Sequence, residues 1–70
     1  MGKIYYDIFK KDSKTLHFVE QGDTDRVYSL IMLIADSHEE TIEAESWCEL
    51  ASVGETYEHE LFTITITLDE

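Results

Sequence analysis

Arg26-Val-Tyr-Ser-Leu-Ile-Met-Leu-Ile-Ala35 is the stretch on which the fold turns. Val27, Leu30, Ile31 and Ile34 match the i, i+3, i+4, i+7 spacing of a helical stripe. Tyr28, Met32 and Leu33 make the opposite side apolar too, which is the pattern of a central strand buried on both faces. The strand reading is preferred. Gln21-Gly22-Asp23 before the stretch is turn-like, and Ala35-Asp36-Ser37 ahead of Glu39 and Glu40 reads as a strand running into a capped helix. A strand here gives the order βββαβ, a helix ββααβ. Both are α+β folds, with a small antiparallel sheet of three or four strands packed on one or two helices.

The flanking segments are less ambiguous. Phe62-Thr-Ile-Thr-Ile-Thr-Leu68 alternates strictly, with Phe62, Ile64, Ile66 and Leu68 on one side and three threonines on the other. Ile4 to Phe9 reads as a first strand, Lys11-Asp12-Ser13-Lys14 as a polar turn, and Thr15 to Glu20 as a second strand, which together form a hairpin. A helix is expected from about Ser37 to Val53. Ser37 with Glu40 three residues on is a capping box, and Glu39 and Glu40 suit the positive end of the helix dipole. Ala44, Trp47, Cys48 and Ala51 supply its buried stripe, and Gly54 is placed for a left-handed C-terminal cap. If the ambiguous stretch is a strand, one helix covers only one sheet face. The other face then exposes some of Tyr5, Phe9, Val19, Tyr28 and Met32, and the chain is expected to self-associate through a sheet face or edge, as a homodimer.

Seventy residues make one domain with a thin core. Cys48 is the sole cysteine, which excludes an internal disulfide and fits a reducing, cytoplasmic setting. No secretory leader is expected, because Lys3 is followed by Ile-Tyr-Tyr-Asp without an apolar run. Tyr6 stands where a myristoylation signal wants Ser or Thr. Hydrophobic residues make up 43%, which argues against disorder.

The charge is distributed unevenly. All five Lys and Arg residues, Lys3, Lys10, Lys11, Lys14 and Arg26, lie in the first 26 positions. Residues 1–35 carry five acids against them, so the net charge of −11 comes entirely from residues 36–70. Such a segment repels nucleic acid and anionic membrane and attracts basic surfaces.

Catalytic and metal chemistry find no motif. Cys48 falls on the buried stripe, where an inert thiol is the ordinary state. His38-Glu39 and His59-Glu60 begin like a zinc-protease motif, but Ile42 and Thr63 occupy the second histidine position. His17 reads as a half-exposed strand residue. Asp23-Thr24-Asp25 starts a calcium loop whose later ligands and glycine are missing. Gly22 and Gly54 stand alone, so there is no phosphate loop. The expectation is no enzyme, no metal and no cofactor.

The acidic half instead reads as a surface. On the expected helix Glu45 and Glu49 form one flank and Glu39 and Glu43 the other, each pair one turn apart with Cβ atoms about 5–6 Å apart. Phosphates on one DNA strand rise about 3.4 Å each, so a groove lined with Lys and Arg would meet a comparable charge density. Glu58 and Glu60 extend the field. Ile42 and Leu50 lie between the flanks, an apolar centre with a charged rim, and Tyr57 is a favoured type of interface anchor. By contrast, Trp47 belongs to the core. The expected function is inhibition of a basic nucleic-acid-binding protein by mimicry of nucleic-acid charge. In size, acidity and charge layout the chain resembles phage-encoded anti-restriction and anti-CRISPR proteins, an analogy of function that no motif supports. The alternative is a dimeric structural or regulatory module that binds a protein through Ile42, Leu50 and Tyr57, with the acids serving solubility.

Overall fold

The computed structural model describes residues 2–69 and has the order ββααββ. Strands β1 (Lys3–Lys10) and β2 (Thr15–Glu20) form the expected hairpin. Helices α1 (Thr24–Ala35) and α2 (His38–Leu50) follow, then β3 (Thr56–Glu58) and β4 (Phe62–Asp69). The sheet is antiparallel with order β2-β1-β4-β3. It is the α+β architecture expected from the sequence, with four strands and two helices.

The deciding stretch is a helix, which corrects the preferred strand reading. Val27, Ile31 and Ala35, spaced four apart, are its buried residues. The turn-like Gln21-Gly22-Asp23 leads into this helix, and Asp23 is its N-cap, accepting a hydrogen bond from the Arg26 N–H at 3.3 Å. At the other end Asp36 takes a left-handed conformation (φ 53°) and donates its N–H to the Met32 carbonyl. The apolar second side has a different cause from the one inferred. Instead of a second sheet face it meets α2: the Thr41 hydroxyl lies 3.5 Å from Met32 Sδ, and the Tyr28 hydroxyl lies 2.7 Å from His38 Nδ1. Leu33 faces solvent at 81% exposure.

Helix α2 starts where expected. Ser37 is extended and its Oγ accepts from the Glu40 N–H. The helix ends three residues before Val53. Ala51 is already extended, and the Ser52 N–H turns to the Glu55 carboxylate. Gly54 therefore caps no helix. Its φ of 96° serves the turn into β3, and its N–H reaches the Ile66 carbonyl at 2.8 Å. The three-residue β3 was not expected; it is too short to carry a periodic signal.

The core lies between the sheet and both helices. Tyr6 and Ile8 of β1, Val19 of β2 and Phe62, Ile64 and Ile66 of β4 share the helix-facing side and are buried. Val27, Ile31, Ala35, Ala44 and Cys48 meet them from above. Each such fully buried aliphatic or aromatic side chain contributes about 1.5–3 kcal/mol relative to exposure. Thr41 is the one buried polar residue among those described, and its hydroxyl donates to the Ser37 carbonyl at 2.6 Å.

Because both helices sit on one side, the other sheet face is open. Tyr5 and Phe9, two of the residues named with the strand reading of Arg26–Ala35, stand there half-buried. Val19, Tyr28 and Met32 do not; they belong to the helix-facing side and to α1. Leu16 and Phe18, at 46% and 59% exposure, join Tyr5 and Phe9 instead. A shallow hollow of about 330 Å³ on this face is lined by Tyr5, Phe18, Thr67 and Asp69. None of the helices is long and apolar enough to cross a membrane, among the described residues.

Candidate protein-binding surface

Burial of Thr41, Ala44 and Cys48 sets the rotation of α2. Residues four apart share a row, so Ile42, Ser46 and Leu50 form the solvent-facing crest. Ile42 is 43% exposed and Leu50 87%. Glu39 and Glu43 run beside this crest toward β3, and Glu45 and Glu49 run along the opposite flank. The first pair is exposed; in the second, Glu45 is half-buried and Glu49 exposed.

No Lys or Arg lies within 4 Å of Glu39, Glu43, Glu45 or Glu49 among the described residues, whose ion pairs are all made elsewhere. Lys3 faces Glu20, Lys10 faces Asp12, and Lys11 meets Glu58 at 2.6 Å. The unbalanced carboxylates are felt by their neighbours. Burial pushes the Cys48 thiol up to about 12, with Glu45 and Glu49 adding to the shift. The thiol is therefore protonated and unreactive at neutral pH. Burial first, then Glu43, raises the Tyr57 hydroxyl. Burial is also the main cause of the rise at Tyr6, whose hydroxyl lies 3.3 Å from the Cys48 carbonyl and which feels the Glu49 carboxylate.

The site residues do not all fall together. Tyr57 lies under the Glu43 edge of α2. Its ring packs against Trp47 at 5.4 Å and edge-on to Phe62 at 6.1 Å, and its hydroxyl lies 3.5 Å from Glu43. It is half-buried. Trp47 is packed against the core, as read from the sequence. Glu58 is on the far side of the sheet from α2, because it alternates with the inward-facing Tyr57, and Lys11 balances it. Glu60 is exposed at the bend between β3 and β4.

One further carboxylate borders this region, and one apolar side chain stands exposed apart from it. Glu40 points toward His59, with Oε1 3.4 Å from Nε2. His59 stacks on Phe62 at 4.3 Å, and its Nδ1 accepts the Leu61 N–H at 3.0 Å, so Nε2 carries the hydrogen that faces Glu40. Leu33 adds an exposed apolar side chain on α1. Its position was readable in principle: once Val27, Ile31 and Ala35 face inward, residue 33 falls on the opposite side of the helix. No group of three or more His, Cys, Asp or Glu among the described residues is arranged to hold a metal ion.

The acidic end of α2 carries a measurable cost. Glu49 lies in the last turn, where the helix dipole disfavours an anion, and one turn from Glu45. Glu49→Lys reverses both effects and places a Glu-to-Lys pair at i, i+4. It is expected to stabilise the fold by about 0.3–1 kcal/mol, read as a rise of about 2–5 °C in Tm. A fall in Tm would show that the Glu49 carboxylate makes a stabilising contact of its own.

Compared with known protein families, curated proteins and solved structures, the chain matches none of them.

Proposed function

We propose that the chain is a small cytoplasmic inhibitor that binds a basic nucleic-acid-binding protein and blocks its nucleic-acid site. Glu39, Glu43, Glu45 and Glu49 of α2 take the positions of phosphates, with Glu60 extending the field. The observation that carries this reading is that, among the described residues, these four carboxylates have no lysine or arginine partner while three of the five bases are paired elsewhere. An unpaired row of like charge on one helix is unfavourable for folding, and it is offset when a cationic groove receives it. The mechanism is competition, with no covalent step. Ile42 and Leu50 on the crest supply apolar contact inside the acidic rim. Glu58 takes no part, since Lys11 already holds it.

The test is capture from a cell lysate on the immobilised chain, with identification of the bound proteins and competition by a duplex DNA of about 20 base pairs. Nucleic-acid-binding proteins are expected, displaced both by the duplex and by raising the salt from about 0.05 to about 0.5 M, where screening shortens the Debye length severalfold. Bound proteins that ignore both duplex and salt would overturn the proposal. That outcome would favour the second reading, which rests on the exposure of Ile42 and Leu50: a dimeric structural or regulatory module gripping its partner by these side chains and Tyr57.

A further inference from the structure

The two edges of the sheet are unequal. The β3 edge has three residues, too few to template another strand. The β2 edge has six, Thr15-Leu-His-Phe-Val-Glu20, with no proline, no lysine and an unbroken register against β1. Natural edge strands are normally blunted by one of these devices or by a covering segment. Here Leu16 and Phe18 stand exposed on the open face of that same strand.

The backbone decides which groups point outward. The Gln21 N–H bonds to the Ile4 carbonyl at 2.8 Å, one step beyond the Tyr5–Glu20 pair. In an antiparallel ladder hydrogen-bonded pairs alternate, so Val19, His17 and Thr15 also turn their backbone groups toward β1. Leu16, Phe18 and Glu20 turn theirs away, toward the free edge. A second strand can satisfy them only in a register that pairs even-numbered residues with even-numbered residues.

We propose that this edge binds the β2 edge of a second copy of the chain, antiparallel about a two-fold axis through His17. In that register Leu16 faces Phe18 of the second copy, and Lys14, a left-handed residue (φ 52°) of the hairpin turn just before β2, lies outside the ladder with its flexible side chain at the end where Glu20 of the second copy falls; each pair occurs twice. The segment Lys14-Thr-Leu-His-Phe-Val-Glu20 is self-complementary in charge and in shape only when aligned this way. Shifting the alignment by two residues in one direction sets Glu20 against Leu16. The opposite shift moves Glu20 past the end of β2 toward Asp12 in the hairpin turn and leaves Phe18 with no strand residue opposite it. Residues 10–20 carry three bases and two acids, so two chains of net charge −11 meet through a segment that is not acidic. Leu16 and Phe18 of each copy would make about four N–H···O bonds across the axis, and their side chains would cover one another. The two-fold axis stands perpendicular to the sheet, so the copies share one eight-stranded sheet with all helices on the same side. Both acidic α2 surfaces then remain free, since α2 packs over Tyr57 of β3 at the opposite edge.

Charge exchange tests both the interface and its register. The wild-type chain is expected to sediment as a dimer, with a dissociation constant on the order of 100 µM or tighter. Lys14→Glu and Glu20→Lys, each folded by circular dichroism, are each expected to weaken the dimer about tenfold, since each puts like charges opposite twice. The double variant K14E/E20K restores the pairs and is expected to return to within about threefold of wild type. Amide exchange at Leu16 and Phe18 should slow with rising concentration in the wild type and in the double variant. A monomer at about 1 mM, a double variant no better than either single, or a dimer without protection at these two amides would overturn the proposal.

Discussion

Replacing Glu39, Glu43, Glu45 and Glu49 together by lysine is expected to weaken binding to the captured nucleic-acid-binding protein by about a hundredfold or more. The substitution changes the net charge from −11 to −3 and converts a row that attracts cations into one that repels them. Folding should survive. Three of the four side chains are exposed and Glu45 is half-buried, and none is ion-paired to a Lys or Arg among the described residues. Lysine near the N-terminus of α2 is disfavoured by the dipole and lysine near its C-terminus is favoured, so the net effect on stability is small. The glutamine version at the same four positions removes attraction without adding repulsion, and its loss should be intermediate. The affinities are read by titration at about 0.05 M salt, where surface charges are least screened. Unchanged affinity in the lysine variant, with affinity lost in Ile42→Ser/Leu50→Ser, would transfer the binding to the crest of α2 and end the charge-mimicry reading.

Ile31→Ala is expected to lower stability by about 2–5 kcal/mol, while Leu33→Ala changes it by no more than about 0.5 kcal/mol. Ile31 is fully buried among the sheet and the helices, and its truncation leaves a cavity in a thin core. A chain of this length has a total stability on the order of 4–10 kcal/mol. The first variant should therefore lose a large part of its total stability, seen in a urea titration as a marked fall of the midpoint. The pair separates the two structures this stretch could adopt. In a strand, residues 31 and 33 point to the same face and both substitutions would act alike. In a helix they are turned about 200° apart. Equal losses at the two positions would contradict the helical packing of α1.

Much of the fold was legible because period-two and period-3.6 patterns are local. The hairpin of β1 and β2 and the last strand read directly from alternation and turn residues, and the start of α2 from Ser37 and its acids. The misreading of Arg26–Ala35 also has a local origin. A segment that is apolar on all sides has no distinctive period, and two different burials produce it: a strand between two layers, or a helix touching a sheet on one side and another helix on the other. Asp23 was a cap, and its Gly22 neighbour made it look like a turn before a strand. The early end of α2 was invisible because Ala51, Ser52 and Val53 do not break a helix by themselves. Where the helix stops, the Ser52 N–H bonds to the Glu55 carboxylate and the chain at Gly54 and Glu55 bonds across to Ile66 of β4.

The candidate surface divides the same way. Sequence spacing alone established that Glu39 and Glu43 share a row, that Glu45 and Glu49 share another, and that Ile42 and Leu50 lie outside the buried stripe, because helical geometry is determined by residue number. It also established that the second half of the chain has no base of its own. Strand pairing brought Lys11 to Glu58, and helix packing left the α2 carboxylates without a lysine among the described residues. It was also tertiary contact that drew Tyr57 inward between Trp47 and Phe62 and left the outer edge of β2 bare. Those outcomes depend on which distant segments touch, and contact between residues tens of positions apart is a property of the packed chain that no local period encodes.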